Sequence, residues 1–188
     1  MQYTKVRGLA LVLALLPVTA IGVVASSGVA NAVPTHITET MILLTGHGTG
    51  KAGWPKLTNS SWTVKKGETV TLRIVSHDDG TAPLVGKYMK YFKVMGTKGG
   101  TELAAGKSVN NISDINIAHT FTVTRLGLNL PIPVAPTGKT VTVVATFTPN
   151  KTGTFVWNCF APCGTGPSSM GGPMATMGWM MGKIKVIA

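Results

Sequence analysis

The sequence predicts an all-β fold, built as a sandwich in a single domain. Three observations carry that prediction. Alternating or β-branched apolar runs recur along the chain, each run is bounded by Gly, Pro or Asn, and no long stretch repeats apolar residues at the helical period. The 23 glycines and 11 prolines supply the turns.

Strands are expected at 38–45, 119–124, 140–148, 153–159 and 182–187, where the residues alternate or are β-branched. The stretch 63–75 (TVKKGETVTLRIV) is expected to be a hairpin, with the turn at 65–68 around Gly67. Residues 78–116 are long and irregular, with Tyr88, Met89, Tyr91, Phe92, Val94 and Met95 as material for a strand or short helix against the sandwich. Residues 126–138 contain Pro131, Pro133, Pro136 and Gly138 and are expected to be loop. Short strands at such spacing suit a sandwich or a barrel.

Residues 1–32 have the form of a secretory signal peptide. Lys5 and Arg7 make a basic start, an apolar run covers 9–25, and Val29-Ala30-Asn31-Ala32 offers an A-x-A cleavage site. The alternative is an uncleaved N-terminal membrane anchor, although Pro17, Gly22, Ser26 and Ser27 interrupt the run. Residues 33–188 then form the domain, and no later segment is apolar for long enough to span a bilayer. The expected location is extracytoplasmic: periplasm, pseudoperiplasm, cell surface or secreted.

The whole chain carries a formal net charge of +11, and loss of residues 1–32 lowers it to +9. The basic surface suits an anionic or acidic partner. Nucleic acid is not expected, because the lysines are scattered and the address is extracytoplasmic. Only six carboxylates are present (Glu39, Glu68, Asp78, Asp79, Glu102 and Asp114), which leaves little for a hydrolase based on paired acids. No ordered Ser or Cys triad is apparent either, and no enzymatic activity is expected.

The chemistry is concentrated in 155–181, FVWNCFAPCGTGPSSMGGPMATMGWMM, which holds both cysteines, Cys159 and Cys163. Thiolates and thioethers on one loop suit copper, above all Cu(I), better than a hard cation. Two cysteines are too few for the common structural zinc or iron–sulfur sites. The same pair in an exported protein also suits a disulfide, which would brace the loop. Met170, Met174, Met177, Met180 and Met181 are either thioether ligands or core fillers. Among the histidines, His36 lies near the mature N terminus, His47 lies in a turn between Gly46 and Gly48, and His77 precedes Asp78-Asp79-Gly80 in a turn.

From Trp62 to the C terminus the chain resembles the cupredoxins, in particular the dinuclear copper (CuA) domain of cytochrome c oxidase subunit II. The resemblance rests on VKKGETVTLRIV, on AHTFTV around His119, and on TFTPNKTGTFVWNC leading into the loop. It implies a cupredoxin-like Greek-key β-sandwich following the signal segment. The family loop reads C-x3-C-x3-H-x2-M, which places Cys159, Cys163, Pro167 and Met170 on the pattern, with His119 as the upstream histidine.

Pro167 stands where the family has its second histidine, so the usual dinuclear centre is expected to be absent or altered. The implied metal set is His119, Cys159, Cys163 and Met170, with His77 the candidate for a second imidazole. The resemblance implies a copper protein that passes electrons to or from a respiratory redox partner, with one thiolate as the electronic path. Two alternatives stand beside it. One is a metal-free, disulfide-braced scaffold acting as a structural or binding module; the other is a Met-rich Cu(I) chaperone.

Overall fold

A computed structural model describes residues 35–188; the expected signal peptide and its boundary at Ala32 lie outside the described residues. Eleven strands run in chain order: β1 (His36–Leu44), β2 (Lys56–Leu57), β3 (Ser61–Lys65), β4 (Thr69–Ser76), β5 (Glu102–Ala104), β6 (Lys107–Val109), β7 (Ile117–Val123), β8 (Leu128–Pro133), β9 (Val141–Phe147), β10 (Gly153–Asn158) and β11 (Met181–Ile187). They form a six-stranded sheet, β2-β1-β4-β9-β5-β6, and a five-stranded sheet, β3-β11-β10-β7-β8. Among the described residues no helix is long and apolar enough to cross a membrane.

Strand alternation explains how the sheets meet. In β4 the inward residues Val70, Leu72 and Ile74 are buried, and in β9 Val141, Val143, Ala145 and Phe147 do the same. They face Trp62 and Val64 of β3, Phe121 and Val123 of β7, Phe155 and Trp157 of β10, and Ile184 and Val186 of β11. Each large side chain sealed in this way contributes about 1.5–3 kcal/mol of transfer free energy. The result is a two-sheet β-sandwich.

The expected hairpin at 63–75 is not a hairpin. β3 pairs in parallel with β11, whereas β4 pairs with β1 and β9 in the other sheet, so the turn carries the chain across the sandwich. Alternation reports which face is buried and is silent on which strand is the neighbour. The turn takes its bonds from elsewhere: Lys66 N–H donates to Ile187 O and Gly67 N–H to Pro149 O. Glu68 ties the turn down, accepting from Lys65 N–H at 2.9 Å and from Thr35 Oγ1 at 2.7 Å. Those bonds hold its carboxyl below the usual range.

The expected loop at 126–138 contains a strand, β8, over Leu128–Pro133. β8 pairs with β7 across Pro131 and Pro133. It is the edge strand of its sheet, so the two prolines, which have no N–H to give, cost no ladder bond on the open side. The irregular stretch 78–116 contains a 3-10 turn, Gly86–Phe92, and the short β5–β6 hairpin. The turn buries Tyr91 and covers one end of β7, all seven of whose residues are buried.

Candidate metal centre

β7 sets the first donor. A bulge between Ile117 and His119 shifts the register, and His119 then follows the parity of Phe121 and Val123. Its ring is completely buried, with Nε2 2.7 Å from Asp78 Oδ2 and Nδ1 3.8 Å from Cys159 Sγ. An Nε2–H that donates to Asp78 leaves the Nδ1 lone pair aimed at the thiols.

β10 sets the second donor. Cys159 follows its last residue, with its N–H bonded to Met180 O and its sulfur accepting Thr120 N–H at 3.3 Å. Phe160 N–H donates to Thr120 Oγ1 at 2.9 Å, and the Phe160 ring stacks between Tyr88 and Tyr91. These ties fix the departure of the loop from the strand. Cys163, part-buried, returns with its N–H on Ala161 O, which places its sulfur 3.5 Å from that of Cys159. Both are free thiols in the structure.

The thioether that reaches the pair is that of Met174, whose Sδ lies 3.1 Å from Cys163 Sγ. The reason is a small excursion in the loop. Thr165 and Gly171 exchange N–H···O bonds at 3.1 and 2.9 Å, and Gly164 N–H donates to Ser169 O at 2.7 Å. The residues between them fold outward as a turn, and the chain beyond comes back beside Cys163. Only glycine fits at 164, since a Cβ there would stand 2.2 Å from Gly171 O and 2.6 Å from Met174 Cγ.

Met170, on that excursion, is part-buried against the edge of the core, and Pro167 is exposed on it. His36, exposed, is 2.9 Å from Thr71 Oγ1, and His77 is exposed at the end of β4. The side chain of His47 lies outside the described residues.

One donor atom each from His119, Cys159 and Cys163 lie within 4.8 Å of one another. Ligand bonds of about 2.0–2.3 Å at tetrahedral angles set donors roughly 3.3–3.8 Å apart. The Nδ1–Sγ and Sγ–Sγ separations of 3.8 and 3.5 Å therefore fit one ion. With one imidazole, two thiols and a thioether, the donors are soft, which favours copper. A dinuclear centre would need a second imidazole, and His119 is the one histidine in this group among the described residues.

The metal-free electrostatics follow from burial and from these contacts. Burial alone would lower the His119 pKa, but the Asp78 hydrogen bond and the neighbouring Cys159 outweigh it and push it up to about 9. Burial opposes the Cys159 thiolate, yet hydrogen bonds from Cys163 and His119 hold its pKa well below the usual thiol value. Cys163 goes the other way, raised by burial and by the Cys159 charge beside it. Burial also works against the Asp78 carboxylate, and the His119 bond more than compensates, leaving it lowered. Without a metal, His119 is therefore biased towards its protonated form, Cys159 towards the thiolate and Cys163 towards the neutral thiol, and a metal bound at Nδ1 would displace the His119 proton on that side.

Two members were not found by sequence reasoning. Asp78 is 41 residues from His119 and reads as a turn residue beside His77. Met174 reads as core filler, because counting along the family pattern arrives at Met170. A local signal for it does exist in Gly171-Gly172-Pro173, small residues that let the chain turn back toward the cysteines.

No family model matches the chain, and no curated protein matches it. Among solved structures it is similar to reduced rusticyanin, at 16% identity over 82% of this chain and 81% of that one, with a TM-score of 0.41. It is also similar to rusticyanin from Thiobacillus ferrooxidans, at 15% identity over 82% and 79%, with a TM-score of 0.40. A multi-copper oxidase from Pediococcus acidilactici aligns with 95% of this chain and 30% of its own length, at 12% identity and a TM-score of 0.37. At identities and scores this low, the chemistry of the site rests on this chain's own residues.

Proposed function

We propose that this protein is an extracytoplasmic copper protein that binds one ion and exchanges single electrons with a redox partner, without transforming a substrate. The observation that carries this is the buried convergence of His119 Nδ1, Cys159 Sγ, Cys163 Sγ and Met174 Sδ on neighbouring rigid elements. Bound copper would supply a one-electron couple. The extracytoplasmic part rests on the form of residues 1–32, and the basic surface favours an acidic partner.

The chain's own residues do the rest. Two strands of one sheet, β7 and β10, hold the imidazole and the first thiolate in a fixed relation, so little rearrangement accompanies a change of charge. Thr120 N–H donates to the Cys159 sulfur and disperses its charge. Asp78 orients His119 and keeps its proton on Nε2, the second-layer role that sustains a ligating imidazole. Asp78→Asn is therefore expected to weaken copper affinity by about 10–100-fold. It should also raise the reduction potential, because a less basic imidazole supports Cu(II) less well. Competition against a chelator checks the first effect, and redox titration the second.

Anaerobic reconstitution followed by oxidation tests the proposal. The expected result is a visible thiolate-to-Cu(II) absorption band that disappears on reduction and returns on reoxidation. Copper bound without such a band would remove the electron-transfer role and leave soft Cu(I) handling.

One observation favours a second reading. A Cys159 thiolate 3.5 Å from the Cys163 sulfur is a nucleophile beside its oxidation partner. A disulfide there would give the metal-free scaffold, and the thiol count separates the two.

A further inference from the structure

Two adjoining cavities, both open to solvent, lie beside Cys163. The larger one, about 590 Å³, is lined by His77, Asp78 and Asp79 together with the glycine-bearing segment that includes Gly46 and Gly53. The smaller one, about 310 Å³, is lined by Ala118, Pro162, Cys163 and Gly164. Both share Thr45, Gly46, Gly53, Asp78 and Gly80, so they are two parts of one groove. His77 and Asp79, both exposed, line one part of it, and Cys163, part-buried, lines the other.

Charge marks out the same path. The chain has only six carboxylates against 17 lysines and arginines, and two of the six, adjacent in sequence, line this groove. The Asp78 oxygens are engaged, Oδ2 with His119 and Oδ1 with Gly80 N–H, and Asp78 lines both parts of the groove. Among the described residues, no hydrogen bond or ion pair engages the side chain of His77 or of Asp79. On a strongly basic protein, a groove carrying one sign of charge concentrates the opposite ion.

We propose that this groove is the loading path for the metal centre, with His77 and Asp79 as the capture residues that hand a copper ion to Cys163. The inference rests on the copper assignment made above. Imidazole binds copper and carboxylate draws it in, but two exposed side chains hold it weakly. The buried sulfurs bind it more strongly because they are softer and are gathered in one place. In transfer of Cu(I), bonds to His77 and Asp79 break and bonds to the Cys163 and Cys159 sulfurs form. The protons displaced from the donors pass to water in the groove, and no electron moves.

The test uses mature apoprotein under argon, mixed by stopped flow with Cu(I) supplied as its acetonitrile complex. Near-ultraviolet thiolate-to-Cu(I) absorption follows loading. The double variant His77→Ala/Asp79→Asn is expected to load about tenfold more slowly, with the final stoichiometry and spectrum unchanged. Added salt should slow the native protein and have little effect on the variant. Ala52→Trp, which adds bulk in the larger cavity without changing charge, should also slow loading, whereas Glu39→Gln, a carboxylate outside both cavities, should not.

Equal rates in the native protein and the double variant would overturn the loading path and leave the copper assignment intact. A lower final stoichiometry in the double variant would also overturn it, by making His77 or Asp79 part of the site itself. Native protein that takes up no copper would overturn both.

Discussion

Cys159→Ser is expected to reduce copper retained after desalting from about one ion per chain to under about a tenth. Cys159 is where the donors converge: its sulfur is 3.8 Å from His119 Nδ1, 3.5 Å from Cys163, and stabilised as a thiolate by Thr120 N–H. A serine hydroxyl is hard, stays protonated at neutral pH and cannot bridge that set. Because oxygen nearly matches sulfur in shape, the apoprotein should keep its fold, which circular dichroism checks. Cys163→Ser should be milder, leaving Cys159, His119 and Met174 to hold a weaker site. If the protein were instead a disulfide-braced scaffold, Cys159→Ser would change no metal content and would expose one new thiol.

The second large effect lies away from the centre. Glu102 on β5 is buried, and among the described residues neither carboxylate oxygen has a hydrogen-bond partner. Burial pushes its pKa from 4.5 up to about 9. An acid whose pKa is raised on folding holds its proton in the native state while the unfolded chain has lost it. Stability therefore falls as pH rises from about 4.5 towards about 9, and the loss is complete above that value.

At pH 8 this corresponds to a cost on the order of 4 kcal/mol. Glu102→Gln removes the titration. The variant should match the native protein near pH 4.5 and melt about 10 °C higher at pH 8. Urea unfolding of both proteins across this range measures it, and parallel curves would show that Glu102 titrates normally.

The sheets were legible in the sequence to the extent that burial shapes sequence. β1, β7, β9, β10 and β11 are half-buried surfaces, or fully buried in β7, and their residues carry that mark. Pairing is not written locally. The 63–75 segment has the alternation and glycine turn of a hairpin, yet its two strands belong to different sheets, a choice made by β11 and β1, far away in sequence. β8 was hidden by prolines that an edge position tolerates.

The centre was legible for the same reasons and to the same limit. Cys159, Cys163 and His119 announce themselves by residue type, and the structure brings them together. Asp78 and Met174 do not, because their roles come from a strand end and a folded-out turn that no local pattern specifies. The outward turn made by Gly164 and Gly171 also changes the meaning of spacing. Spacing along the loop does not translate directly into distance from Cys163 when the residues between Thr165 and Gly171 fold into a turn.

The central claim is that one copper ion is held by a site containing both cysteines as thiolates. The most direct test is copper content and free-thiol count on mature protein, purified without reductant and then reconstituted. The expected result is about one copper per chain, with both thiols titratable once the metal is removed under denaturing conditions. No copper together with no titratable thiol would contradict it and establish the cysteines as a disulfide.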